Sequence, residues 1–116
     1  MDKDLYAVAD FCLIPIGTAS VSVAEEVAEC QRILAKSGLK YKMHGYGTNL
    51  EGPWTQVSQA IHDCHAAVHA TGAPRVATDI RIGTRIDRHI PPGEGNEGKV
   101  KRVEEILAKD NEANQH

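Results

Sequence analysis

The sequence predicts an α+β fold with the order strand, helix, strand, strand, helix, strand, and then a short C-terminal helix. Segments 22–37 and 53–71 repeat apolar residues at helical spacing. Segments 6–16 and 75–86 read as strands, and the glycine-rich stretch 39–52 between the two helices fits a hairpin.

The first strand and helix are predicted in the first third of the chain. Residues 6–16 are apolar on both alternating faces, which is typical of a strand that is covered on both sides. Ser22 and Glu25 form a capping-box pattern, and Gly38 fits a C-cap, so we expect a helix between them. The apolar stripe of this helix consists of Val23, Val27, Cys30 and Leu34.

The hairpin and the second helix follow. Residues 39–52 predict two short strands, although their glycines weaken strand propensity. Pro53 fits the first helical turn, where its missing N–H is harmless, and Gly72 fits the helix end. The stripe of the second helix consists of Val57, Ile61, Cys64 and Val68.

The last strand, residues 75–86, alternates between two kinds of side chain. Its apolar face carries Val76, Ile80 and Ile82, with Thr78 among them. Its other face carries Arg75, Ala77, Asp79, Arg81 and Arg85. After a turn-rich loop at 89–98, Val100, Val103 and Leu107 indicate a short helix, and we expect 109–116 to be a disordered tail.

This order matches the ferredoxin-like βαββαβ sandwich, in which both helices cover one face of the sheet. The 116 residues fit a single domain, 1–116. The other sheet face would be partly apolar and uncovered, which favours burial against a second copy of the chain. We therefore expect a homo-oligomer.

The composition argues against several classes of protein. A net charge of -3 does not favour a nucleic-acid binder. No apolar run approaches the ~20 residues that cross a bilayer, and no signal peptide is visible. The three cysteines form no CxxC motif, which is typical of reduced thiols. A cytoplasmic protein without membrane or nucleic-acid partners is the expectation.

Three histidines offer a possible metal site. His62, His65 and His69 lie at i, i+3 and i+7 on the second predicted helix and share one stripe. A straight helix spreads the outer two over two turns, and no HExxH motif or cysteine pair accompanies them. A structural or solvent-facing role is favoured, so no metal is predicted.

Recognisable catalytic motifs are absent from the sequence. There is no GxSxG for a serine nucleophile and no GxxxxGK[ST] for a phosphate loop. No catalytic residues are predicted.

The stretch HGYGTNLEGPW, residues 44–54, concentrates glycines around Thr48 and Glu51. One hypothesis is a simple turn, with Glu51 favoured near a helix start. The other is a pocket in which both side chains hold a small polar molecule. Thr18 and Ser20 would add a second hydroxyl-bearing loop if the two segments adjoin.

Arg81 and Arg85 lie on the charged face of the last predicted strand. They could pair with Asp79, Asp87 or a neighbouring subunit, or they could form an anion site. The sequence leaves both alternatives open.

Three stretches resemble the small thiamine-binding protein family: LIPIGT, YKMHGYGTNLEG and RVATDIRIGTRID, in this order around two helices. The resemblance spans about residues 5–107. It implies a ferredoxin-like fold, a homotetramer built from sheet-packed dimers, and binding of thiamine or its hydroxymethylpyrimidine part without established catalysis. Thr48 and Glu51 fall on the matching GTxxE stretch.

Thiamine chemistry fits this resemblance. Glu51 could pair with the pyrimidine edge, and the hydroxyls of Ser20 and Thr48 could complete it. An aromatic ring could stack on the pyrimidine, with Phe11, Tyr41 and Trp54 as the candidates.

The leading hypothesis is thus a cytosolic, non-enzymatic thiamine-binding homotetramer with no cofactor besides thiamine as ligand. The alternative is a regulatory module that binds a small anion, sulfate-like or phosphate-like, at a subunit interface lined by Arg81 and Arg85. An enzyme that uses His44 or the helix histidines, with Glu51 as base, ranks last.

Overall fold

The computed structural model describes residues 4–113, which form a four-stranded antiparallel sheet and three helices. In chain order the elements are β1 (Tyr6–Ile16), α1 (Ala24–Ser37), β2 (Lys40–His44), β3 (Gly47–Pro53), α2 (Trp54–Ala70), β4 (Arg75–Gly83) and α3 (Gly95–Ala113). The strand order across the sheet is β2-β3-β1-β4. The predicted ferredoxin-like arrangement, with a C-terminal helix added, is confirmed.

The core lies between one face of the sheet and the helices α1 and α2. Strand β1 sits in the middle of the sheet and buries every second side chain toward the helices, as the alternating pattern predicts. The predicted helical stripes supply the opposite wall, with Leu34 on α1 and Val57 and Val68 on α2 fully buried. We refer to this face as the helix side of the sheet.

The opposite face, the open face, carries the other half of each strand. Strand β1 contributes Val8, Cys12 and Ile14 to it, and β4 contributes Arg75 and Arg81. Helix α3 begins over this face, where Gly95 lies against Val8. The rest of α3 extends outward, and Val100, Val103, Ile106 and Leu107 are all more than half exposed.

Helix α1 begins one residue later than the capping box predicts. The N-cap residue is Val23, which offers no side-chain cap, and Ser22 Oγ instead accepts the N–H of Ala24 at 3.3 Å. The predicted end is confirmed, because Gly38 adopts a left-handed conformation with φ of 77°.

Two further boundaries differ from the expectation. Pro53 ends β3 and precedes α2, so it is not part of the first helical turn. Strand β4 ends at Gly83, where its pairing with Val8 ends, so Arg85 lies in the following loop and not on the charged strand face.

Helix α3 is longer than predicted at both ends. It starts at Gly95, inside the predicted loop, because a carboxylate from β3 caps its first N–H groups. It continues to Ala113 and so includes residues 109–113 of the predicted tail, while 114–116 lie outside the described residues. Within residues 4–113, no helix is both long enough and apolar enough to span a bilayer.

Candidate functional site

Thr48 and Glu51 face opposite sides of the sheet. Both belong to β3, and their spacing of three residues is odd, so the alternation of a strand directs them apart. Thr48 pairs with Phe11 on the helix side, whereas Glu51 pairs with Val8 on the open face. Both side chains are buried, at 4% exposure each. The single pocket that we expected to contain both is therefore not formed, and each residue has its own site.

Thr48 lies in a cavity between α1, the middle of β1 and the β2–β3 turn. We call it the helix-side cavity; its volume is about 250 Å³, and most of its lining is apolar, including Phe11, Val27 and Cys30. Its lining includes a hydrogen-bonded polar pair, in which Nε2 of the half-buried Gln31 donates to Oγ1 of the buried Thr48 at 3.0 Å. A mostly apolar cavity with few fixed polar groups is the usual form of a small-molecule site.

The glycine-rich turn shapes this cavity. A Cβ on Gly47 would approach the backbone oxygen of Phe11 to 2.5 Å, so β3 can lie this close to β1 only with glycine there. The turn places Tyr46 at the cavity mouth, where its ring is 89% exposed. The aromatic side chains at this site are therefore Phe11 in the interior and Tyr46 at the rim.

Glu51 caps the N-terminus of α3. Its Oε2 accepts the N–H of Gly95 at 2.7 Å, and its Oε1 accepts the N–H of Asn96 at 3.1 Å. Tyr6 donates its hydroxyl to Oε2 at 2.6 Å and accepts the N–H of Gly93 at 2.8 Å. Burial, and then the hydrogen bond to Glu51, raise the pKa of Tyr6 to about 12. The carboxylate predicted to hold a ligand thus has three protein donors.

Thr18 and Ser20 bond within their own loop. Thr18 Oγ1 donates to the backbone oxygen of Ser20 at 3.3 Å, and Ser20 Oγ accepts the N–H of Ser22 at 3.1 Å. Neither residue lines the helix-side cavity, although Val23 beyond them does. The predicted convergence of two hydroxyl-bearing loops is therefore not observed.

The candidate aromatic residues separate as well. Phe11 is 2% exposed and lines the helix-side cavity. Trp54 follows the far end of β3, about 20 Å from Thr48 at the usual rise per strand residue. Tyr41 packs against the core from β2 and does not line the cavity. Of these three aromatic residues, only Phe11 lines the same cavity as Thr48.

Arg81 and Arg85 do not share a cleft. Arg81 borders a groove on the open face with Asn49 and Lys99. Arg85 donates through Nε to Asp87 at 2.6 Å and also through a terminal nitrogen, and this hydrogen-bonded pairing lowers the pKa of Asp87 to about 2. Arg85, in the loop after β4, instead lines a different cleft together with cations of α3.

The histidine stripe does not converge on one point. His65 Nε2 lies 2.5 Å from Thr78 Oγ1, His69 Nδ1 lies 2.9 Å from the Ala73 oxygen, and His62 contacts Asp63. Burial, and then the charges of His69 and His62, lower the pKa of His65. Over the described range, no three His, Cys, Asp or Glu side chains are grouped to hold a metal ion.

The sequence interpretation missed Gln31 and Tyr6. Gln31 lies four residues after Val27 and three before Leu34, so it borders the buried stripe of α1. A polar residue at such a position is a detectable sign of a buried polar contact. Tyr6 offered no such sign, because its partners Glu51 and Gly93 are 45 and 87 residues away.

Comparison with known proteins connects this arrangement to one family. The family model described as thiamine-binding protein matches residues 9–110. The UPF0045 protein sll0230 of Synechocystis is 50% identical over 105 residues, covering 90% of this chain and 83% of that protein. The UPF0045 protein ECM15 of Eremothecium gossypii is 36% identical over 104 residues, covering 90% and 95%. The crystal structure of protein MJ1052 of Methanocaldococcus jannascii superposes with a TM-score of 0.74 at 28% identity, covering 86% of this chain and 97% of that one.

Proposed function

Because the chain belongs to the thiamine-binding protein family, we propose that it binds thiamine, or its hydroxymethylpyrimidine part, in the helix-side cavity. The observation that carries the proposal is the hydrogen-bonded pair of buried Thr48 and half-buried Gln31 inside an otherwise largely apolar space of about 250 Å³. The family membership supports the class of ligand, and the cavity offers a space of suitable size and polarity.

The polar pair suits the edge of an aminopyrimidine. That edge offers ring nitrogens as acceptors and an amino group as donor. Gln31 carries both an amide donor and an amide acceptor, and the Thr48 hydroxyl can act as either. Phe11 supplies an aromatic wall against which a flat heterocycle can pack.

The cationic thiazolium of thiamine would lie toward the cavity mouth. Tyr46 is at that rim and presents an exposed ring that can interact with a cation. Glu51 takes no part in this binding mode, since it lies on the open face and caps α3. This differs from the expectation that Glu51 pairs with the pyrimidine.

Calorimetry with thiamine and with hydroxymethylpyrimidine tests the proposal. Thr48→Val keeps the volume of the side chain but leaves Gln31 without its partner, so we expect about tenfold weaker binding. Thr55→Val is the matched control, because Thr55 is exposed at the start of α2. Absence of binding heat for both ligands with the unmodified protein, or equal affinity of both variants, would show that the proposal is wrong.

We further propose that the protein acts in the cytosol as a homotetramer that buffers or senses the vitamin without transforming it. Two uncovered apolar surfaces support assembly: Ile14 and Ile16 on the open face are each 40% exposed, and the stripe of α3 at Val103 and Leu107 is more than half exposed.

Light scattering on diluted protein tests the assembly. Ile14→Lys places a charge on the open face and should dissociate the particle, whereas Ile86→Lys changes an isoleucine that is already 91% exposed in a loop and should not. A particle of monomer mass for the unmodified protein would contradict the homotetramer.

A further inference from the structure

A second cleft, which we call the basic cleft, lies between α3 and the loop that follows β4. Its volume is about 390 Å³. Five of the chain's 13 Lys and Arg residues line it, against two of its 16 Asp and Glu residues. Such a concentration of cations is unexpected in a chain with a net charge of -3. The cations are Arg85, Arg88, Lys99, Lys101 and Arg102.

Most of these cations have no acidic partner among the described residues. Arg85 pairs with Asp87, but within residues 4–113 neither Arg88 nor the three cations of α3 form an ion pair. Of the two acids in the cleft, Glu97 is bound to Lys40 at 2.8 Å. The positive charge of the cleft is therefore largely uncompensated within the described part of the chain.

Gly98 provides an independent observation. Glycine is unfavourable in a helix, so its presence usually has a packing reason. At Gly98 no such reason is seen, because a Cβ there would meet no atom within 4 Å. Gly95, one turn earlier, is needed because its Cβ would collide with Val8 at 2.4 Å. Packing inside the protein thus explains Gly95 but not Gly98, which lines the basic cleft and leaves it open.

We propose that the basic cleft binds the phosphoryl groups of a small phosphorylated molecule. Cations reach the cleft from two sides, Arg88 from the loop and Lys99 and Arg102 from α3, which suits a ligand with two or more anionic groups better than a single carboxylate. The side chains carry the site, because the first N–H groups of α3 are already occupied by Glu51. This inference does not depend on the thiamine proposal.

Inorganic diphosphate is the probe for the test, followed by amide NMR shifts at constant ionic strength with chloride as the reference. We expect shifts at Arg88, Gly98 and Lys99, and weaker binding at higher salt. Replacing Lys101 and Arg102 together by Gln should weaken binding about tenfold. The matched control replaces Arg32 and Lys36 of α1 by Gln, which removes the same charge from another helix and should leave the affinity unchanged.

A further variant, Gly98→Leu, places a side chain in the cleft where no atom surrounds the Cβ position. We expect it to keep or raise the thermal midpoint, because leucine favours a helix more than glycine does, and to bind diphosphate more weakly. Shifts no larger than those with chloride, or equal loss in the α1 control, would overturn the proposal. Displacement of diphosphate by a single-stranded oligonucleotide at far lower concentration would also overturn it, because the cleft would then serve a nucleic-acid backbone.

Discussion

Oε2 of Glu51 accepts the backbone N–H of Gly95 at 2.7 Å, which joins the sheet to the first turn of α3. The two residues are 44 positions apart in the chain. The carboxylate satisfies N–H groups that a helix start leaves unpaired, and its charge is favourable at that end of the helix dipole. Glu51, a residue of β3, therefore has a structural role as the cap of the C-terminal helix.

Glu51→Gln should loosen α3. The amide NH₂ of glutamine would face a backbone donor, and the charge at the helix start would be lost, so we expect a loss of about 1–3 kcal/mol in the free energy of unfolding. Urea denaturation at fixed protein concentration measures it. Glu29→Gln removes a carboxylate from a surface ion pair with Arg32 and should cost below about 1 kcal/mol. Equal stability of the two variants would contradict the capping role.

The elements of the fold were predictable because their patterns are local. The alternation of β1 and the apolar stripe of α2 are each read within one segment, and each matches the buried residues of the core. Of the predicted α1 stripe, Cys30 and Leu34 lie in the core, whereas Val23 is exposed. The start of α3 was not predictable in this way, because it depends on a carboxylate from β3. Boundaries that depend on tertiary contacts escape local patterns.

The candidate site was predictable only in part. Thr48 and Phe11 do meet, but Glu51 was assigned to the same pocket because the glycine-rich stretch 44–54 was interpreted as enclosing both side chains, although two strands were predicted over 39–52. The structure extends β3 from Gly47 to Pro53, and a strand sends residues three apart to opposite faces. The glycines that suggested a loop instead allow close strand contact, as the approach of Gly47 to Phe11 shows.

The Tyr6 hydroxyl should make the protein sensitive to high pH. Its pKa is raised from 10.0 to about 12 in the folded protein, so folding favours the protonated form. The contribution of the protonated Tyr6 hydroxyl to the free energy of unfolding is complete below pH 10. It is lost as the pH rises to about 12. The stability of the unmodified protein should fall more over this interval than that of Tyr6→Phe. Tyr46→Phe, at an exposed position, should behave as the unmodified protein, and parallel curves for all three would contradict the assignment.

His65 should destabilise the protein in mild acid. Its pKa is lowered from the ordinary 6.5, chiefly by burial, so folding favours the neutral ring. The contribution of the neutral His65 ring to the free energy of unfolding is complete above pH 6.5. It is lost as the pH falls through the lowered pKa of His65 in the folded protein. An NMR titration of the histidine rings should show His65 titrating below 6.5. A midpoint at or above that value would disprove the expected burial effect.

Alanine substitutions at Gly95 and Gly98 should change the stability of the protein in opposite directions. Gly95→Ala drives a methyl group against Val8 and Glu51, with Cβ only 2.7 Å from Glu51 Oε2, and should cost about 1–3 kcal/mol. Gly98→Ala meets open space and should stabilise the helix by up to about 1 kcal/mol. Thermal unfolding of the pair measures the difference. A destabilised Gly98→Ala protein would mean that Gly98 has a packing role in the folded protein.

The most direct test of the binding account is a thiamine titration followed by backbone and side-chain amide NMR signals. We predict that the signals of Thr48 and of the Gln31 side chain shift progressively, while those of Gly95 and Asn96 stay in place. This result would locate the ligand on the helix side of the sheet. Shifts at Gly95 and Asn96 without any at Thr48, or no shifts at all at saturating thiamine, would contradict it.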